Sequence, residues 1–378
     1  MTREYVCADC GAALPVTLGR WACDECGGPL DLRRAGLEWR HGLAGTRGWP
    51  GSCPALPCEE WALDRAWLGE VPTPLVEMPS GSAVWLKCDH LMPTGSFKDR
   101  GAVVLAALAL ELGASRIISD SSGNAAAAIA AHAARVRIPC EVFVPQRTSS
   151  RKVRQAQGYG AEVHLVPGGR AEAAAAAQWA SRAEGVLYAS HAANPHFHHG
   201  VKAWAYEVRE QLGAAPDTVV VPVGSGSLLL GIAIGFRELL DSGSIAAMPR
   251  LVAVQSAGCA PLAGWPPAGT PPGPGAHPVA EGIAVPQPIR LRQLRQAVDR
   301  SSGTVVVVDD QQILHAHRDL ARSGLCVEPT SAVAWAGWQA LAAGDLPPGR
   351  SVIALTGSGL KTDPPESQIP QMPGKGLL

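Results

Sequence analysis

Short β-branched runs alternate along this chain with longer stretches rich in alanine and leucine, and that alternation predicts a layered α/β fold. Strand-like runs fall near residues 116–120, 140–144, 162–166, 218–223, 251–255, 304–308 and 351–355. The run Thr218–Val223 has almost no polar position and reads as a strand buried on both faces, so the succession implies a parallel sheet covered by helices on both sides. Residues 102–112 contain neither Gly nor Pro, and 125–134 are dominated by Ala, which predicts a helix in each place. Neither stretch reaches the roughly 18 uninterrupted apolar residues that a membrane span requires. Punctuation divides the chain further. A cysteine-bearing segment covers 1–36, a connector rich in Gly, Pro and Trp covers 37–69, and Val71-Pro72-Thr73-Pro74-Leu75 forms an extended lead-in to the main body. The Pro- and Gly-dominated tract from Gly264 to Pro278 predicts a surface loop, and the tail over 365–378 predicts poor order.

Polar motifs sit where predicted strands give way to helices or where helices begin. Lys98 follows the turn Pro93-Thr94-Gly95-Ser96-Phe97 and opens the first Ala- and Leu-rich helix. The positive end of a helix dipole and partial burial both disfavour an ammonium, so this amine is suited to a neutral, Schiff-base-forming role; alone, it would read as a solvated surface lysine. Ser121-Ser122-Gly123-Asn124 precedes the alanine run, where backbone N–H groups and an Asn amide can meet a planar ligand. Gly224-Ser225-Gly226-Ser227-Leu228 follows Thr218–Val223, and its glycines permit the close backbone approach that a phosphate cradle needs. Its spacing is not that of a Walker loop. Thr356-Gly357-Ser358-Gly359-Leu360-Lys361 places a hydroxyl at a strand's carboxyl end, where open α/β sheets bind ligands. Four such junctions predict one shared cleft. Asp99 and Arg100 read as an ion pair holding the lysine loop.

The N-terminal segment carries different chemistry. Cys7-Ala8-Asp9-Cys10 and Cys23-Asp24-Glu25-Cys26 are separated by twelve residues, and each pair is followed by Gly. Two such knuckles at this spacing predict a structural four-thiolate zinc ribbon, whereas a redox site needs only one pair. The remaining six cysteines have no paired spacing, which suits a reducing, cytoplasmic compartment, and the N-terminus has no signal-peptide pattern. The ribbon has no basic footprint, and the formal net charge of the 378-residue chain is −1, so neither nucleic acid nor an anionic membrane is expected as a partner.

In order and wording, PTGSFKDRG at 93–101, SSGN at 121–124, the segment from Ser190 to Glu207, PVGSGSLLLG at 222–231, AEGIAV at 280–285, EPTSAVA at 328–334 and LTGSGLK at 355–361 resemble the fold type II pyridoxal-phosphate enzymes. The resemblance is strongest to the threonine synthase branch that carries a zinc ribbon. It implies a tryptophan synthase β-like fold with two parallel-sheet α/β domains, 70–99 with 206–364 forming the large one and 100–205 a smaller, mobile one, in a homodimer. By the same resemblance Lys98 would bind the cofactor covalently and then remove the substrate's α-proton. Phe97 would pack beside the ring, Asn124 would meet its phenolic oxygen, and Gly224, Ser225, Gly226, Ser227 and Leu228 would hold its phosphate. Thr356 would meet the pyridine nitrogen, and a neutral hydroxyl there favours elimination and replacement over transamination.

Threonine synthases eliminate phosphate from the γ-carbon of O-phosphohomoserine and add water at the β-carbon, which requires a second anion pocket suited to Arg. In one branch an Arg two residues after the Asn-Pro pair and a Ser two residues before that Asn serve it; around Asn194-Pro195 this chain has Phe197 and Ala192. Met92 replaces a usual Asn, and Lys87-Cys88-Asp89 replaces a usual Lys-x-Glu. The candidates for substrate contact are then Lys152, Lys202, His191 and Asn194, with Ser121 and Ser122 at the α-carboxylate and Glu281 near the amine. His196, His198 and His199 read as hydrogen-bonding or solvated rather than as a metal cluster. The leading expectation is a threonine synthase-like lyase acting on a small, phosphorylated amino acid. The alternatives are β-elimination or β-replacement on serine, threonine, phosphoserine or a specialised amino acid, and a zinc-ribbon protein that binds the cofactor without turnover. Intact Lys98, Asn124 and Thr356 argue against the last.

Overall fold

A computed structural model describes residues 3–34, 56–78, 83–264, 279–344 and 349–362, without the side chains of Arg151 and Lys152. Nearly all of the expected loop between Gly264 and Pro278, the tail over 365–378 and most of the connector lie outside the described residues. At the N-terminus β1 (Arg3–Cys7), β2 (Ala13–Pro15) and β3 (Leu30–Arg34) form an antiparallel sheet in the order β2-β1-β3. Tyr5, Cys7, Cys23, Leu30 and Leu32 make its small core. Within the segment read as connector, Glu60–Ala66 form helix α1, which buries Ala62, Leu63 and Ala66 on one face. Seven residues are too few for that face to register as a periodic pattern.

The main body then runs β4 (Leu75–Glu77), β5 (Val84–Cys88), α2 (Asp99–Glu111), β6 (Arg116–Ser119), α3 (Asn124–Val136), β7 (Cys140–Pro145), α4 (Ser150–Gly158), β8 (Glu162–Val166), α5 (Arg170–Ala180), β9 (Val186–Tyr188), α6 (Pro195–Val201) and α7 (Ala203–Leu212). It continues with β10 (Thr218–Pro222), α8 (Ser227–Asp241), β11 (Arg250–Ser256), α9 (Leu291–Arg300), β12 (Thr304–Val308), α10 (Asp310–Arg322), α11 (Pro329–Ala342) and β13 (Ser351–Leu355). Every strand-like run in the sequence is a strand. They divide between two sheets: β12-β11-β10-β13-β5-β4, parallel except for β4, and the all-parallel β8-β7-β6-β9. No helix among the described residues is long and apolar enough to cross a membrane.

Strand β10 shows why the run at 218–223 is uniformly apolar. Val219 and Val221 join one core with Leu229 and Phe236 of α8, while Val220 faces the other with Val333 and Ala336 of α11. Helix α2 crosses α6 at glycines: a Cβ on Gly200 would stand 2.2 Å from the Arg100 carbonyl, and one on Gly101 would stand 2.4 Å from the Phe197 ring. That approach seats the start of α2, and Lys98 with it, against the segment following Asn194.

The expected Asp99–Arg100 pair is corrected by the structure. Asp99 accepts from the Thr94 amide at 2.7 Å and the Thr94 hydroxyl at 2.6 Å. Arg100 instead donates to both oxygens of Asp89, each at 2.8 Å, and to Glu207 at 2.6 and 2.8 Å. Lys87, itself fully buried, completes this network, donating to Glu207 at 2.6 Å, to the Thr73 carbonyl at 2.7 Å and to Gln211 at 2.9 Å. Adjacent side chains on a helix diverge by about 100°, so neighbours in sequence take different partners.

Candidate active site

The four motif-bearing junctions open into one cavity of about 2350 Å³, lined by Phe97, Lys98, residues 121–124, residues 224–228 and Thr356. Lys98 caps the start of α2 in helical conformation, and its Nζ donates to Ser227 Oγ at 3.1 Å. The same nitrogen lies 4.6 Å from the centre of the Phe97 ring and 5.6 Å from that of Phe197. Burial lowers its pKa to about 7 against the opposing pull of Glu328, so near neutrality the amine exists in both protonation states.

Two motifs distant in sequence are zipped together around this lysine. The Phe97 amide donates to the Thr356 carbonyl and the Ser358 amide to the Gly95 carbonyl, both at 2.9 Å, with Ser96 and Gly357 forming an antiparallel bridge. Ser331 Oγ accepts from the amides of Thr356 at 3.0 Å and Gly357 at 2.8 Å, and lies 3.1 Å from the Thr356 hydroxyl. Thr356 is thereby held at the carboxyl end of β13.

Asn124 donates through Nδ2 to both oxygens of Glu328, at 3.1 and 3.0 Å. Burial raises the Glu328 pKa, while Asn124, Lys361 and Lys98 act in the other direction. Sequence reasoning missed this carboxylate. Glu328 precedes Pro329 at the first position of α11, and an acid before a proline-led helix is already accounted for as a helix start.

The glycine loop is shaped by what stands behind it. A Cβ on Gly224 would lie 2.7 Å from Ile283 Cα, and Gly226, at φ 83°, would push one to 2.2 Å from Leu294. Its residues lead directly into α8, whose first amides have no acceptor within the helix.

The expected substrate contacts are distributed unevenly. Ser121, Ser122, His191 and Glu281 line the cavity. Burial holds the His191 ring well below its ordinary pKa, helped by Lys98 and His198, and keeps it neutral. Asn194 is instead a helix cap: it is buried and accepts from the His196 amide at 3.0 Å. Lys202 is a correction, since it is fully buried away from the cavity and donates to Glu238 at 2.8 and 2.9 Å. Lys152 lies on α4, and its side chain is outside the described residues. His196, His198 and His199 are all buried rather than solvated, because α6 packs against both α2 and α8. Among the described residues the cavity's cations are Lys98, Arg154, Arg170, Arg295 and Lys361. Arg170 follows Gly168-Gly169 after a strand-like run, a strand-to-helix junction of the kind that marked the other loops.

Away from the cavity, the sulfurs of Cys7, Cys10, Cys23 and Cys26 all lie within 4.8 Å of one another. A tetrahedral zinc with Zn–S bonds of about 2.3 Å needs sulfurs about 3.8 Å apart, so the four thiols suit such an ion. Gly11 and Gly27, at φ 77° and 73°, close the two knuckles, their amides donating to the Cys7 and Cys23 carbonyls.

Residues 66–357 match the family model described as pyridoxal-phosphate dependent enzyme. The chain belongs to that family. Its threonine synthase-like branch is shown by curated relatives: the threonine synthase of Methanosarcina acetivorans is 31% identical, covering 95% of this chain and 92% of that one. The threonine synthase of Mycobacterium leprae is 32% identical over 86% of this chain and 92% of its own. Among solved structures, maize serine racemase superposes with a TM-score of 0.67 at 24% identity, covering 80% of this chain and 92% of that one. A pyridoxal 5'-phosphate-dependent aspartate racemase has the same TM-score at 22% identity, covering 84% and 100%. Both establish the fold of this pyridoxal-phosphate-dependent enzyme.

Proposed function

We propose that this enzyme is a lyase that converts O-phospho-L-homoserine and water into L-threonine and phosphate. The observation that carries the reading is the convergence, in one cavity, of a lysine amine of pKa about 7, a glycine loop at a long helix's start and a clamped threonine hydroxyl. The match to threonine synthases over nearly the whole chain supports the choice of reaction.

The donor set fits pyridoxal phosphate. Residues 224–228 with the first amides of α8 would hold its phosphate, Asn124 would meet the phenolic oxygen, Phe97 would pack beside the ring and Thr356 would meet the ring nitrogen. When bound, the cofactor supplies an electron sink for charge developing at the substrate's α-carbon. Lys98 would hold the cofactor, and its Nζ would accept the substrate's α-proton and return a proton later, for which a pKa near 7 is well matched. Glu328 orients the Asn124 amide, and Ser331 fixes the Thr356 hydroxyl. Ser121 and Ser122 donate to the α-carboxylate, and Glu281 lies near the amine. Arg295 donates to the Pro261 carbonyl and Lys361 to the Thr94 carbonyl, so Arg154 and Arg170 are assigned to the substrate phosphate in place of Lys202. This reading carries with it a cytoplasmic homodimer.

Incubation with O-phospho-L-homoserine, serine, threonine and phosphoserine, while phosphate, threonine and keto acids are assayed, tests the reaction. Stoichiometric phosphate and threonine from the first substrate are expected. A second reading, β-elimination or β-replacement on a smaller amino acid, is favoured by one feature: Phe197 and Ala192 stand where one branch carries phosphate ligands. Keto acid from serine or threonine without phosphate release from O-phospho-L-homoserine would install it. Absence of turnover on every substrate would favour a binding protein.

The ribbon is assigned one structural zinc on Cys7, Cys10, Cys23 and Cys26. Metal analysis should find about one zinc per chain. Cys23→Ser should make residues 3–34 protease-sensitive while most of the bound cofactor is retained. Equal protease resistance with and without chelator would refute the assignment.

A further inference from the structure

We infer that Arg290 is a positioning residue that makes the N-terminal ribbon a support of the substrate-facing wall of the active-site cavity. Its side chain, at the start of α9, is only 1% exposed. On the ribbon side Nη2 donates to the Leu30 carbonyl at 2.5 Å and Nη1 to Asp31 at 3.0 Å. On the cavity side Nε donates to the Ala192 carbonyl at 3.1 Å and Nη2 to the Ala193 carbonyl at 2.8 Å. Gln293, one turn along α9, accepts from Nη1 at 2.8 Å and donates to Asp31 at 2.7 Å.

A guanidinium holds its five N–H donors in one rigid plane, so acceptors from three parts of the chain are fixed relative to one another. Strand β3 and the turn between β9 and α6 therefore cannot shift independently. His191 and Ala192 of that turn line the cavity. A second contact reaches the same segment from the ribbon: the Tyr5 hydroxyl lies 3.3 Å from His196 Nδ1, and the two rings meet edge to face at 5.6 Å. Arg290 donates to none of the residues assigned to the cofactor. Its loss should consequently disturb the substrate side and spare the cofactor side. Lysine, a point charge, cannot span both carbonyl sets.

The test uses the cofactor-loaded full chain with Arg290→Lys and, weakening only the ribbon side while the Leu30 carbonyl contact stays, Asp31→Asn. Hydrogen exchange is read by mass spectrometry over 28–34 and 189–197, beside steady-state kinetics with O-phospho-L-homoserine. Arg290→Lys should accelerate exchange in both segments and raise KM roughly tenfold to a hundredfold with a smaller change in kcat and unaltered cofactor absorbance. Asp31→Asn should act in the same direction more weakly. Should Arg290→Lys fail to fold, Asp31→Asn with Tyr5→Phe carries the comparison. Unchanged exchange at 189–197, or changed exchange with unchanged KM, overturns the inference. The kinetic arm rests on the reaction proposed above. If wild-type enzyme does not turn over O-phospho-L-homoserine, that reaction fails, while exchange still decides whether Arg290 couples ribbon and wall.

Discussion

Lys98→Ala is expected to lower turnover by roughly four decades or more and to abolish covalent cofactor attachment, leaving a cofactor that dialysis removes. In the proposed reaction the lysine combines both duties, holding the cofactor and moving the α-proton, and among the described residues no neighbouring amine is free to stand in. Lys361, the other lysine lining the cavity, is engaged with the Thr94 carbonyl at 2.9 Å. The wild-type protein adds a pH signature. An ordinary lysine has a pKa of 10.5, whereas burial brings Lys98 to about 7. Only the neutral amine attacks, so covalent uptake of pyridoxal phosphate by cofactor-stripped protein should rise through pH 7 and level off above it. Visible absorbance recorded across pH 5.5–10 checks this. A midpoint near 10, or an unaltered covalent spectrum in Lys98→Ala, would remove the lysine from its role.

The second large effect is on stability. Arg100→Met should destabilise the protein by about 3–5 kcal/mol, because buried Asp89 then loses the cation it pairs with and Glu207 keeps only Lys87. Burial alone would raise the Glu207 pKa, but Arg100 and Lys87 outweigh it and hold the carboxyl below its usual range. A carboxylate with a depressed folded-state pKa contributes stability above its unfolded pKa and loses it as pH falls through the folded value. The wild-type network should therefore weaken on acidification below the ordinary carboxylate range. Urea denaturation of both proteins at neutral pH and in acid measures the difference. A shift under about 1 kcal/mol at neutral pH would mean that water or other donors replace Arg100.

Local chemistry made much of this protein legible from its sequence. The run at 218–223 reads as a strand because a β-rich segment is apolar at nearly every position when both faces are covered, a property of a few consecutive residues. Lys98, Asn124, Gly224 and Thr356 stand out because each lies at a strand end or helix start and because their motifs, taken together in order, resemble those of one enzyme family, and the paired cysteines because their spacing suits metal coordination. Partnership was not legible. Lys202 and Arg170 are both cations on short segments near a turn, yet Glu238 on α8 takes the first into the interior while the second lines the cavity. Glu328 reads as an ordinary helix start until α11 packs and brings it to Asn124. Arg100 turned from Asp99 to Asp89 and Glu207, and Arg290 bridging the ribbon to Ala192, both follow from packing between distant segments. Charge and hydrogen-bond energies depend on distances that only the assembled tertiary structure sets.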